Sequence, residues 1–182
     1  MANVQRVLQD YKPIRSYPVK GSAEAIETGD LLFWETRFQG NTAITQNTVR
    51  PPSAGSTGSS AADGRYQFAN LFVGVARQRH DLNSYDKADF GVSVDCEIEM
   101  IIANSSGVQT VANTEIDAGA KVGIAVNTSF VPIDDMVQVD GLLSATIADN
   151  EAIGRLSRRI KNGDKTCRVH IVGMHVMGQT GI

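Results

Sequence analysis

Between Val92 and Met100 the chain alternates without a break. Val92, Val94, Cys96, Ile98 and Met100 are apolar, and Ser93, Asp95, Glu97 and Glu99 between them are polar. A period of two sends successive side chains to opposite faces of a β-strand, so the segment predicts a strand with its apolar face turned inward. The three carboxylates then share the outer face, about 6.6–6.8 Å from neighbour to neighbour by the strand rise. Such a ladder raises three readings: an acidic active site, a metal cradle, or a solvated wall.

The rest of the chain continues the β signal. Thr28-Gly29-Asp30 reads as a turn feeding a strand through Leu31–Trp34, and Asn70–Gln78 carries a short apolar run. Asn104–Gly107 turns the long alternating strand into the next segment. Residues 120–133 and 135–147 read as further strands, and Asn162-Gly163 is a hairpin signal between 152–160 and 166–178. Ile153, Leu156 and Ile160 also fit helical spacing, but the hairpin favours strand. Short strands separated by turns predict an all-β barrel or sandwich, and no internal repeat of fixed period stands out.

Two stretches depart from that pattern. Residues 1–20 form a polar arm in which VQRVLQD has room for one or two helical turns, and Pro13 and Pro18 then favour extended chain. Residues 36–68, rich in Gly, Ser, Thr, Asn and Ala, read as a long inserted loop in the domain 21–182.

With 42% apolar and 20% charged residues, the 182-residue chain suits one globular domain with a core. A formal charge of −3 gives no electrostatic reason to expect nucleic acid. No stretch approaches the roughly 20 apolar residues of a membrane span. The charged N-terminus lacks a signal peptide's apolar region, so folding in a cytoplasm is expected. Cys96 and Cys167 sit in apolar-alternating segments and are expected to be buried, reduced thiols.

Each sharper chemistry meets an objection. Parallel carboxylates on one strand cannot flank a glycosidic bond from opposite sides. Along a strand, Cys167 and His170 point to opposite faces, and His175 lies about 26 Å from Cys167, too far for tetrahedral zinc. There is no G-x-S-x-G elbow, His80 sits in a charged surface-like context, and the NGDKT sequence lacks the Gly-Lys pair of a phosphate loop. The cationic segment 155–168 lacks the interleaved aromatics of a nucleic-acid face and reads as a solvated hairpin or a salt-bridging interface. No cofactor is expected.

The order of elements is more specific. The Gly29-Asp30 turn, Phe72-Val-Gly-Val-Ala76, Gly119-Ala-Lys-Val122, Ala152-Ile-Gly154 and Arg168-Val169 resemble, in sequence and order, the cement (decoration) proteins of tailed-phage heads with a β-tulip barrel. The resemblance spans about 25–35 and 70–173. It implies a homotrimer on the outer capsid surface of a virion, clamping neighbouring major capsid protein subunits without an active site. The arm 1–20 and segment 36–68 exceed the simpler members of that family. Within the arm, Arg6, Tyr11, Lys12, Arg15, Tyr17 and Lys20 are the candidate partner-binding residues, since Tyr and Arg are enriched at interfaces. The alternative is a carbohydrate-binding decoration or tail module, with Trp34 and the Gly/Ser stretch near its site.

Overall fold

The structure, a computed structural model, describes residues 6–19, 25–39, 42–52, 60–81 and 84–172. Its strands are β1 (Arg6–Asp10), β2 (Arg15–Val19), β3 (Leu31–Gln39), β4 (Thr42–Arg50), β5 (Phe72–Ala76), β6 (Lys87–Ser93), β7 (Asp95–Ile102), β8 (Lys121–Val126), β9 (Pro132–Val139), β10 (Ala152–Leu156) and β11 (Thr166–Val172). One α-helix, α1 (Ala61–Leu71), and a single 3-10 turn at Asp149–Glu151 complete the set.

The molecule is an all-β barrel protein. Strands β7-β11-β10-β8-β9 form a sheet that closes where β9 meets β7 through Ile101↔Met136 and Ile102↔Val137, giving a five-stranded barrel with β1 on its flank. A second sheet, β2-β6-β5-β3-β4, packs against it. Its outer strands β2 and β4 approach to Cα separations within 8 Å without forming a ladder.

The alternating segment 92–100 is a strand, as its period requires, and it bends at Val94. That bend hands one continuous apolar face from one core to another. Val92 and Val94 pack with Tyr17, Leu32, Val73 and Phe90, whereas Cys96, Ile98 and Met100 pack inside the barrel with Val122, Ile124 and Val169. The unbroken apolar run of β5 is explained by the same division. Phe72 and Val75 face the barrel core, Val73 and Ala76 face the smaller one, and a strand buried on both faces has no polar side to alternate.

The two sheets repeat one another. Gly29 N–H donates to the Ala76 carbonyl and Ala76 N–H to Asp30; Gly119 donates to Leu156 and Leu156 to Ala120 in the same way. Ile26 and His80 exchange both backbone hydrogen bonds, and so do Ile116 and Ile160. Arg77 N–H reaches the Gly91 carbonyl as Ser157 N–H reaches Arg168. The β3–β5 and β8–β10 ladders even carry their register shift at the same step. Strands β2, β3, β4, β5 and β6 thus correspond to β7, β8, β9, β10 and β11, and the chain is a tandem repeat of one five-stranded unit. The repeat has no fixed period, in keeping with the sequence, since Ile26 precedes His80 by 54 positions and Ile116 precedes Ile160 by 44.

Two segments differ from expectation. Residues 36–68 are no structureless insertion: they hold the end of β3, all of β4 and most of α1. Ser60 caps α1, its Oγ accepting from Asp63 N–H at 3.2 Å, and Phe68 packs on Phe33 and Phe72. The Gly/Ser-rich residues 53–59 lie outside the described residues. The arm is also built in. Residues 6–10, within the VQRVLQD segment that has room for one or two helical turns, instead pair antiparallel with β7, and residues 15–19 pair with β6, so the arm edges both sheets. Smaller differences concern turns. Residues 120–133 contain a turn at 127–131 rather than one strand, and 135–147 begin as the end of β9 and continue as turns. Strand was the right reading for 152–156, and Gly163 adopts the left-handed φ of 91° that its turn requires.

Candidate functional site

The outer face of β7 and β11 gathers the polar groups that the sequence singles out. In register, Glu99 stands opposite Arg168 and Glu97 opposite His170. The face is less solvated than simple alternation implies. Ser93 is fully buried and Asp95 only 9% exposed, with Asp10 at the end of β1 and Lys12 in the turn after it against them. Ser93 donates its hydroxyl hydrogen to the Asp10 carboxylate, which also pairs with Arg77 at 3.2 Å.

Each rung of the acid ladder is held by its own chain. His170 Nε2 lies 2.8 Å from Asp95 Oδ1, and Lys12 Nζ lies 3.7 Å from the other carboxylate oxygen. Glu97 accepts from Ser157 Oγ at 2.6 Å and, at a long 3.5 Å, from the Tyr11 hydroxyl. Glu99 accepts from Thr166 Oγ1 at 2.7 Å. Cross-strand pairs of this kind stabilise a sheet by about 0.2–1 kcal/mol each. Tyr11 sets its ring edge-on to His170, with centroids 4.9 Å apart. Its hydroxyl pKa is raised, first by partial loss of solvent and then by the Glu97 carboxylate.

The candidate partner residues separate in the fold. Tyr11, 48% exposed, and Lys12 lie beside the acid ladder, and Arg15 is exposed at the start of β2. Tyr17 is a correction. It is 7% exposed and packs edge-on to Trp34 at 5.5 Å in the smaller core, so it cannot meet a partner. Arg6 belongs to β1, but its side chain lies outside the described residues, as does all of Lys20.

Other expectations meet a mixed outcome. Cys96 and Cys167 are free and buried, and burial pushes both thiols up to about 12. His80 is not at the surface: it is 5% exposed, with Nε2 3.0 Å from the Tyr85 carbonyl. Half-buried Trp34 spends one face on the smaller core, as an anchor does. Among the described residues, no three of His, Cys, Asp and Glu are grouped so as to hold a metal ion, and no helix is long and apolar enough to cross a membrane. His175 lies outside the described residues.

Sequence reasoning missed a buried network behind the barrel. Arg65 on α1 donates from Nε to Glu151 at 2.6 Å and from Nη1 to Gln138 at 2.8 Å. Gln138 in turn donates to the Asn104 carbonyl. An Arg inside a Gly/Ala-rich stretch gives no sign in sequence that it will be sealed against a glutamate 86 positions away. No protein family, curated protein or solved structure matches this chain.

Proposed function

We propose that this chain is a non-enzymatic structural protein of the cement type, fastening neighbouring major capsid subunits on the outer surface of a phage head as a homotrimer. One observation carries the reading. The short glycine-centred motifs that resemble the cement family occupy equivalent positions in the two repeated sheets, one of which closes as the barrel. Gly29 and Gly119 open β3 and β8 with φ of 103° and 92°, values that favour glycine. Gly74 and Gly154 lie where any Cβ would sit 2.2 Å and 2.4 Å from the backbone oxygens of Ser93 and His170.

The chemistry of the surface agrees with a gripping role. The ladder carboxylates are occupied by hydrogen-bond donors of the same chain, and the two thiols are too buried and too weakly acidic to act as nucleophiles. Tyr11, Lys12 and Arg15 remain on the surface as contact residues. Aromatic and Arg side chains are enriched at interfaces, and the rigid backbone that carries them here needs no ordering when a partner covers them.

The test is co-sedimentation with expanded phage heads that lack the chain, with the particle and the free protein weighed by light scattering. A trimeric mass in solution and saturable binding to heads are expected. A monomer that stays in the supernatant at micromolar concentration would end the reading. Deleting residues 2–20 is not a suitable test, because it removes an edge strand from each sheet. Tyr11→Ala with Lys12→Ala leaves both strands in place.

A further inference from the structure

The tandem repeat supplies an internal control for every surface position: where one unit needs a residue for folding, its counterpart should need one too. Most pairs obey. Arg79 meets Glu27 at 3.7 Å, and its counterpart Arg159 meets Asp117 at 3.4 Å. Gly74 and Gly154 both leave room for the backbone oxygen of the next strand.

One pair of positions departs in the direction of charge. Matched through the shared backbone hydrogen bonds, Gln78 and Gly91 of the first unit correspond to Arg158 and Arg168 of the second. In the first unit the place is covered by the chain itself. Gln78 accepts from Lys87 Nζ at 2.8 Å, and a Cβ on Gly91 would come within 3.3 Å of Ile14. In the second unit the place is an open depression of about 150 Å³, lined by Arg158, Arg159, Arg168, Glu99, Asp164 and Thr166 among others. Arg159 is occupied by Glu115 and Asp117, Glu99 by Thr166, and Asp164 by the Lys161 N–H. Arg158 and Arg168 have no side-chain hydrogen bond or ion pair among the described residues. The fold is satisfied there by glutamine and glycine, so it does not require two guanidinium groups.

The geometry points to this depression as a docking site for a carboxylate presented by an acidic segment of a partner protein. Guanidinium groups bind carboxylates through paired N–H donors. With Arg159 taken up by Glu115 and Asp117, the lining leaves Arg158 and Arg168 beside the carboxylates Glu99 and Asp164. Those two carboxylates oppose a phosphate dianion more than a singly charged carboxylate held by the paired guanidinium donors. The site deepens the cement reading and rests on it for the identity of the partner, a capsid subunit that presents Asp or Glu to the second unit.

Two measurements test it on the full chain. In the first, arginine Nε–H resonances of ¹⁵N-labelled protein are followed at low salt during titration with acetylated, amidated hexaglutamate peptide, and separately with inorganic phosphate. The peptide should shift Arg158 and Arg168 saturably. The variant Arg158→Gln/Arg168→Gln should lose that response while melting at an unchanged temperature, because both residues are exposed. No shift in the wild type, an equal response in the variant, or an equal response to phosphate would each overturn the site. In the second, the variant should bind expanded heads at least tenfold more weakly than the wild type. Equal head binding by both would overturn the site and leave the cement reading standing. A positive peptide titration without head binding by the wild type would do the reverse.

Discussion

At the scale of single residues, neighbours on β7 are expected to behave in opposite ways. Ile98 is fully buried in the barrel core, and Ile98→Ala should destabilise by about 2–5 kcal/mol through lost contacts and the cavity left behind. Glu97→Gln should stay within about 0.5 kcal/mol of wild type, since its carboxylate is partly solvated and glutamine's oxygen still accepts from Ser157. Urea unfolding of the two variants checks the register, and the reverse ranking would mean that the strand faces the other way. The alternation made that register legible. It did not show that Ser93 and Asp95 would be covered, because the residues against them, Asp10 and Lys12, come from a segment with no β-pattern of its own. The thiols add a pH prediction. Burial raises both from 9.0 to about 12, so the folded chain holds these protons where the unfolded chain has lost them. Stability should therefore be unaffected by the cysteines below pH 9 and fall as pH rises from about 9 to 12, by up to about 1.4 kcal/mol per unit for each thiol. Thermal melts of wild type and Cys96→Ala/Cys167→Ala across that range measure the difference.

At the scale of elements, α1 depends on tertiary contacts more than on its own sequence. AADGRYQFANL has an interior glycine and only Phe68 and Leu71 as large, wholly apolar side chains, which is why the stretch around it reads as loop. What holds the helix is the buried pairing of Arg65 with Glu151 and Gln138, together with Phe68. Arg65→Ala leaves Glu151 buried without its cation and should cost about 3–5 kcal/mol. Replacing both partners, as Arg65→Met/Glu151→Leu, should recover most of that loss in the same urea titration. Gly64 is placed by contact rather than by propensity. Alanine would ordinarily favour a helix by about 0.5–1 kcal/mol. Here its Cβ would come 2.8 Å from the Phe130 carbonyl oxygen, so Gly64→Ala should lower the melting temperature. A rise would mean that the 127–131 turn yields easily. The candidate site was legible only in part for a similar reason. Tyr11, Lys12 and Arg15 are where residue type suggests, whereas Tyr17 lies on the inward face of β2, a direction fixed by pairing with β6.

At the scale of the whole molecule, two repeated units could unfold separately or together, and the way they are joined decides between these outcomes. The linkage is no flexible connector: β6 runs into β7 through the single bend residue Val94, which is itself fully buried. Leu31, Phe33, Phe72 and Val75 from the first sheet belong to the same continuous core as the barrel interior. Losing the first sheet would expose those four side chains and strip the covering from one side of the barrel. At roughly 1.5–3 kcal/mol for burying each large apolar side chain, the coupling is comparable to the whole stability of an ordinary domain. The units should therefore unfold in one transition. Trp34 reports the smaller core of the first sheet and Cys167 the barrel interior, so the two can be read independently. Trp34 fluorescence and Cys167 alkylation followed by mass spectrometry should share one urea midpoint, and Phe72→Ala should shift both equally. Separate midpoints would mean that the repeat behaves as two domains and that the core shared between the sheets contributes little.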